Sequence, residues 1–440
     1  MLNIQRTVDI KVDLSQKRQV IDGFGVNINS KHWQDGKLIP TIDLLIDDLG
    51  ATLFRLDAYG KSNWVDPDDL FDASVLNENT YKRVYSSKDF RYAAEMGKYL
   101  NSRGIQPYIT MSGIVPKWMC EEDGKTLKDY EAFAEMAVSY AKWLKKEAGV
   151  DFRLFGPLNE TDIGPPEGPA VSPVGYAKAL DALIDKLDKY GLDDIRLVVA
   201  EQAYFSLEYV NEIFKSKRRA GRVEVIGMHT YSDVSHEQLA KSHKAGNYGN
   251  SRLWMTEYGD LDQTGEKEWY IGWKVFERLM RLLHEGYNGA LNWDAYDNYH
   301  DHNEFWTIYG LFRTGLGVYT PKKRYYACKH IYRFAKPGST VIDVKSPMEG
   351  LDIIAFLDPN GTDITLAGLN ATAEDVFINV YYENADQLLF EKRADVYITT
   401  HELNCANVDN VAIKTKNWPY NGTVAAIPAK SIFSVTTVKK

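Results

Sequence analysis

The 440 residues exceed one ordinary domain and match a barrel of about 250 residues plus a smaller module. Hydrophobic residues make up 44% and charged residues 26%, so a large buried core is expected and wholesale disorder is excluded. The net charge of −9 argues against a nucleic-acid partner, which would need clustered Lys and Arg. The one basic cluster, Lys215 to Arg222, falls at a predicted helix end and reads as a solvated face. Cys120, Cys328 and Cys405 are odd in number and far apart, so no disulfide framework and no paired metal site is expected. No apolar run reaches the length of a membrane span, and MLNIQRTVDIKVDL holds no signal-peptide core. No membrane partner is therefore expected, and the chain reads as cytoplasmic or as secreted with its signal removed.

In chain order, TVDIKVDLSQKRQVI alternates apolar and polar residues and predicts a strand. Eight apolar, β-branched or aromatic runs follow: QVIDGFGVNI, ATLFRLDAYG, IQPYITMSG, FRLFGPLNE, IRLVVAEQA, VEVIGMHTY, RLWMTEYGD and GALNWDAYD. Most gaps between them carry a helical pattern, as in FRYAAEMGKYLNSRG, DYEAFAEMAVSYAKWLKKEAG, GYAKALDALIDKLDKYG and EWYIGWKVFERLMRLLHEGYNG. Several of these end in a Gly stop signal. Strands alternating with helices imply a parallel sheet, and eight units point to a closed (β/α)8 barrel, an α/β fold of the TIM type. Beyond residue 336 the texture changes to period-two alternation broken by Asn, Gly, Pro and Asp turns, which predicts an accessory antiparallel β-sandwich. The expected division is 1–19 as an N-terminal strand joining the sandwich, 20–335 as the barrel and 336–440 as the sandwich.

The eight runs begin apolar and mostly end in polar or ionisable residues. Arg55 and Asp57 close the second, Asn159 and Glu160 the fourth, and Glu201 and Gln202 the fifth. His229 and Tyr231 close the sixth, Glu257 the seventh, and Trp293 and Asp294 the eighth. In a barrel these ends meet at the C-terminal face, where active sites sit. Two glutamates, Glu160 and Glu257, thus end strands four and seven. Such a pair suits glycosidic cleavage with retention, which needs two carboxyl groups about 5–5.5 Å apart.

The Asn-Glu of GPLNET and the Glu of WMTEYG, in this strand order, resemble glycoside hydrolase clan A. The opening QVIDGFGVNI, its lead-in strand and the trailing sandwich make the chain most similar to glycoside hydrolase family 30. It departs from that family at Thr161, where Pro is usual, and in GFGVN, where GFGG is usual. The resemblance implies a retaining β-glycoside hydrolase acting on a β-linked oligo- or polysaccharide. Glu160 would be the acid/base and Glu257 the nucleophile. Asn159 would bond the sugar 2-hydroxyl, and Arg55 would hold the nucleophile. Tyr231 and His229 would lie beside Glu257, Trp293 would floor the subsite, and Trp118 would form a stacking wall.

The residues alone leave other roles open. Arg55 could neutralise a buried carboxylate such as Asp57, and His229 and Tyr231 could be satisfied core groups. Glu201 could bind substrate hydroxyls or form a structural pair. The aromatic content of 12% fits sugar stacking as well as a large core, and Trp33, Trp64 and Trp306 read as rim aromatics. Asp297, His300, Asp301 and His302 offer metal-type ligands, but their irregular spacing reads as a rim loop contacting substrate. No metal and no cofactor is expected, and no phosphate loop or G-x-S-x-G elbow occurs. Two alternatives keep the barrel: a catalytically inactive carbohydrate-binding protein, and a metal-assisted hydrolase.

Overall fold

The computed structural model describes residues 4–57, 83–262, 268–300, 305–315, 318–385, 392–413 and 422–439. The first strand, β1 (Ile4–Val20), leads into eight parallel strands that close into a barrel. These are β2 (Gly23–Asn29), β3 (Leu53–Asp57), β4 (Tyr108–Thr110), β5 (Leu154–Gly156), β6 (Arg196–Ala200), β7 (Val223–Thr230), β8 (Arg252–Tyr258) and β9 (Gly289–Asn292). Closure is made by β2 against β9, with Gly23 opposite Gly289 and Phe24 opposite Ala290. Each strand coincides with one of the eight predicted runs. Their unbroken apolar character has a direct cause: a barrel strand is buried on its inner face by other strands and on its outer face by helices.

The helices Lys88–Ser102, Tyr130–Lys142, Pro173–Lys189 and Glu268–Glu285 occupy the predicted gaps. The third shows how the sequence sets its limits. Ser172 Oγ accepts from the Gly175 amide at 3.2 Å, and Pro173 takes a first-turn position that needs no donor. At the other end Gly191 adopts φ 63°, the left-handed turn that stops a helix. The basic cluster does not simply face solvent. Arg218 pairs with Asp185, Arg219 is buried and meets Asp181 at 2.6 Å, and Arg222 meets Asp188 at 3.0 Å, all on that same helix.

After the barrel closes, two short antiparallel ribbons follow, β10 (Asn298–His300) with β11 (Phe305–Thr307) and β12 (Phe312–Gly315) with β13 (Val318–Pro321). The first lies where the sequence reads as a loop; runs of three residues are too short to carry a strand signature.

The C-terminal strands are β14 (Thr340–Lys345), β15 (Leu351–Leu357), β16 (Ile364–Asn370), β17 (Asp375–Glu383), β18 (Arg393–Thr399), β19 (Ala406–Ala412), β20 (Gly422–Ile427) and β21 (Ser431–Thr436). With β1 they form one sheet in the order β19-β18-β21-β16-β15-β14-β1-β17-β20. The expected N-terminal strand therefore lies inside the accessory sheet, between β14 and β17. It runs antiparallel to β14 and parallel to β17, with Val8 opposite Ile378. That parallel pair departs from the all-antiparallel expectation, because alternation encodes which face is buried and not the direction of the neighbour. Val8, Ile10, Val12 and Leu14 project into a second core shared with Ile342, Ile353, Ile378 and Phe433. The two units are joined by buried His330, whose ring bonds Ser434 Oγ at 2.9 Å and Thr399 Oγ1 at 2.8 Å. Burial pulls this imidazole down to about 3, so it joins them as a neutral group.

Ile10 is fully buried in that second core. Ile10→Ala is expected to cost about 2–5 kcal/mol in urea unfolding, whereas Thr7→Ala on the exposed face stays within about 0.5 kcal/mol. Equal effects at the two positions would contradict the packing of β1.

Candidate active site

The polar ends of the barrel strands meet around one side chain. Arg55 on β3 is 2% exposed, and its guanidinium reaches four neighbouring elements. Nη1 donates to Glu257 Oε1 on β8 at 2.6 Å and to Asn27 Oδ1 on β2 at 3.0 Å. Nη2 donates to Asn159 Oδ1, beyond β5, at 2.6 Å and lies 3.5 Å from Glu201 Oε2, beyond β6. Burying a cation is costly unless it is paired and hydrogen-bonded, and here both conditions hold. Asp57, the other partner open to Arg55, accepts from Ser112 Oγ and adds its charge to those around Arg55.

Glu257 has both carboxylate oxygens engaged, since Tyr231 donates its hydroxyl to Oε2 at 2.5 Å. His229 Nδ1 bonds Glu160 Oε1 at 2.7 Å and stands 3.5 Å from Glu257 Oε2. One ligating atom each from Glu160, His229 and Glu257 fall within 4.8 Å of one another. The structure therefore brings Glu160, Glu257, Arg55, Asn159, His229 and Tyr231 into one buried cluster. Trp293 follows β9 and is half-buried at the same face, its amide bonded to Tyr258 O at 2.8 Å.

Trp118 sits on the turn Lys117–Met119 after β4 and packs partly against the main core. Its indole Nε1 is buried without a hydrogen-bond partner among the described residues, and no ring contact ties it to the carboxylates. Trp33 is not a rim aromatic. It is buried and donates its Nε1 to Glu95 Oε2 at 2.6 Å, so it serves packing. Trp64, Asp301 and His302 lie outside the described residues, as do the side chains of Trp306 and His300. Asp297, the remaining member of that Asp/His run, is engaged by Lys322 Nζ at 2.6 Å.

Asn27 and Tyr108 also belong to the cluster and were not singled out from the sequence; Glu201, left open there between substrate binding and a structural pair, joins them. Asn27 accepts from Arg55 and sends its Nδ2 to Thr256 O at 3.0 Å. Tyr108 donates to Glu201 Oε2. Glu201 is fully buried, which excludes a direct contact with substrate hydroxyls. Asn27 and Tyr108 lie inside predicted strands, and a polar residue within an otherwise apolar run was the available signal.

The electrostatics separate the carboxylates. Burial, reinforced by the Glu257 charge and opposed by His229, raises Glu160 above the ordinary carboxylate value. Burial would also raise Glu201, but Arg55, His229 and Tyr108 outweigh it and hold it at about 2. Burial alone would lower His229. The surrounding Glu257, Glu160 and Glu201 reverse this and lift it to about 10, so it is an imidazolium at neutral pH. Glu160, His229 and Glu257 have the spacing of a cation site, but both Glu257 oxygens are engaged by Arg55 and Tyr231, and Glu160 Oε1 and His229 Nδ1 by each other.

No family model matches the sequence, and no curated protein does. Solved structures do share its fold. A GH30 endoxylanase from Clostridium papyrosolvens C71 is similar over 98% of this chain and 100% of its own, with TM-score 0.74 and 19% identity. SrfJ from Salmonella typhimurium gives TM-score 0.74 and 14% identity over 99% of this chain and 94% of its own. An endo-β1,6-glucanase gives TM-score 0.70 and 17% identity over 100% and 95%. The fold is thus a (β/α)8 barrel with an accessory β-domain, an architecture shared with structures of family 30 glycoside hydrolases.

Arg55→Met would leave Glu201 and Glu257 buried without their shared counter-charge. A loss of about 3–5 kcal/mol at neutral pH is expected in urea unfolding. In the wild type, Glu201 is depressed to about 2, so its contribution is present above its unfolded value of about 4.3 and is lost as pH falls towards 2. In the variant Glu201 stays buried without Arg55, so its downward shift shrinks and the stability gap to the wild type narrows as pH falls. A gap that does not narrow towards low pH would rule out the pairing.

Proposed function

We propose that the protein is a retaining β-glycoside hydrolase of clan A, most like family 30, acting on a β-linked oligo- or polysaccharide. The observation that carries this reading is the approach of Glu160 and Glu257 carboxylate oxygens to within 4.8 Å, with Glu257 clamped by Arg55 and Tyr231. That approach supports retention over an inverting mechanism, whose carboxyls stand about 6.5–9.5 Å apart. The shared fold, with an endoxylanase and an endo-β1,6-glucanase among its structural neighbours, supports the same class of substrate.

In the first step Glu160 donates its proton to the glycosidic oxygen as a Glu257 oxygen attacks the anomeric carbon. The bond to the departing oxygen breaks, and a glycosyl ester forms on Glu257. Glu160 then takes a proton from water, which attacks the same carbon and frees Glu257. His229 Nδ1 engages Glu160 Oε1, leaving Oε2 to carry the acid's proton. Burial keeps that proton bound up to higher pH than for a solvated carboxylate. Esterification removes the Glu257 charge, which lowers Glu160 and suits it to act as base. Asn159 turns Oδ1 to Arg55 and one Nδ2 hydrogen to Glu167 O at 3.3 Å, so its second Nδ2 hydrogen is placed for the sugar 2-hydroxyl. Trp293, half-exposed at the same face, supplies the stacking floor.

The test is a panel of aryl β-glycosides and β-glycans with the wild type, Glu160→Gln and Glu257→Gln. Glu257→Gln should abolish turnover. Glu160→Gln should slow poor leaving groups by about 10²–10⁴ while sparing activated ones, and should remove the alkaline limb of the pH profile. NMR should find the β-anomer first. An α-anomer, full activity in either variant, or a wild type inactive across the panel would overturn the reading.

A further inference from the structure

Glu201 is a third carboxylate in the site, and the two-carboxylate mechanism has no use for it. Its burial is built for by its neighbours. A Cβ on Gly156 of β5 would fall 2.1 Å from Tyr108 Oη and 2.9 Å from Glu201 Oε2. A Cβ on Gly227 of β7 would fall 3.1 Å from Glu201 Cγ. Two glycines on flanking strands thus open a slot that the glutamate fills. Its backbone is left-handed at φ 51°, an uncommon state for a residue with a side chain, and is pinned from both sides. The Glu201 amide donates to Gly227 O at 2.8 Å, and its carbonyl accepts from the Glu160 amide at 2.9 Å.

The two oxygens face opposite halves of the site. Oε2 receives the Tyr108 hydroxyl and lies 3.5 Å from Arg55 Nη2, the guanidinium that clamps Glu257. Oε1 lies 3.7 Å from His229 Nε2, and the far nitrogen of that ring bonds Glu160. We propose that Glu201 is a positioning residue: from one slot it holds Arg55 against the nucleophile and the His229 cation against the acid/base. The proposal rests on the glycosidase reading for its kinetic consequences alone.

A charge count gives the reason for it. With Glu160 protonated, Arg55 and His229 carry two positive charges, balanced by Glu201 and Glu257. Once Glu257 is esterified and Glu160 has given up its proton, the balance is again Arg55 and His229 against Glu201 and Glu160. Glu201 is the anion common to both stages. Without it the buried cluster gains a positive charge, relieved by proton loss from His229 or Glu160. The groups facing His229 are Glu160, Glu201 and Glu257, with Arg55, Tyr108 and Tyr231 completing the cluster.

The experiment is an NMR titration of the His229 ring in the full chain, assigned with His229→Gln, for the wild type and Glu201→Gln. Alongside it run pH profiles of kcat/KM on an activated and a poor-leaving-group aryl β-glycoside. Wild-type His229 should remain protonated through pH 8, and Glu201→Gln should lower its midpoint by about one to three pH units. The alkaline limb should move to lower pH, with kcat falling more than KM changes and the poor leaving group suffering most. Glu201→Asp, which keeps the charge, should restore part of the shift. A wild-type His229 midpoint near the ordinary value of about 6.5 overturns the proposal, with no variant needed. So does an unchanged midpoint in a folded Glu201→Gln, or an equal loss on both substrates with an unmoved pH profile. If the wild type cleaves nothing, the functional reading fails, while the ring titration still decides the role of Glu201.

Discussion

A guanidinium buried at the mouth of the barrel sets the terms for everything around it. Arg55 cannot deprotonate, so its charge must be met where it lies, and its donors form a rigid planar fork. The fork is answered by Asn27, Asn159, Glu201 and Glu257, which come from four other strand ends. Meeting that one charge therefore fixes the relative register of β2, β3, β5, β6 and β8. An error of an ångström in any of them would leave a buried ion short of a partner. The precision a reacting pair of carboxylates needs is, on this view, a consequence of satisfying an ion that does not itself react.

The backbone contributes at the same place. Glu160, Ala200 and Glu201 have φ of 44°, 77° and 51°, all left-handed and all just where β5 and β6 run out. Each such residue costs on the order of 1–3 kcal/mol and persists only where surrounding contacts over-determine it. Here they do. The bond between the Glu160 amide and the Glu201 carbonyl ties the two strained turns together, and the second is also bonded to Gly227. The turns aim both side chains at His229 instead of letting them follow the strand direction outward.

How far the sequence discloses this depends on what each pattern encodes. The barrel strands were readable because burial on both faces leaves a continuous apolar run, and the helices because their caps and glycine stops bracket them. The accessory sheet was readable through period two, but that period is blind to direction, so the parallel pairing of β1 with β17 was not. Arg55 and Asp57 are two apart on one strand and share a face, so the residues alone left Asp57 open as a partner beside Glu257. The 2.6 Å bond from Arg55 Nη1 to Glu257 Oε1 shows which one it meets directly. Glu201 was visible as a strand-end carboxylate. Whether it met substrate or was sealed away turned on Gly156 and Gly227, whose missing side chains are features of neighbouring strands. Trp33 failed as a rim aromatic because an indole serves packing or stacking with the same letters, and Glu95 decided which.

The opposing influences on Glu160 show why a cation belongs beside an acid. Burial raises this group, and the Glu257 charge adds to that, while the His229 imidazolium draws it back. Burial and the Glu257 charge alone would hold the proton more tightly than His229 allows. The imidazolium tempers that hold, and it also donates to the carboxylate left behind once the proton has gone. An imidazolium buried with no permanent counter-anion would itself lose its proton, since burial is the largest influence on it and acts to lower it. In the proposed mechanism Glu257 cannot be that counter-anion throughout, because an ester has no charge to offer. Glu160 cannot be either, because it is neutral whenever it is the acid. The constraint leaves room for one further carboxylate that takes no part in bond-making, sealed from solvent and held ionised by Arg55 and Tyr108. Glu201 meets each of those conditions.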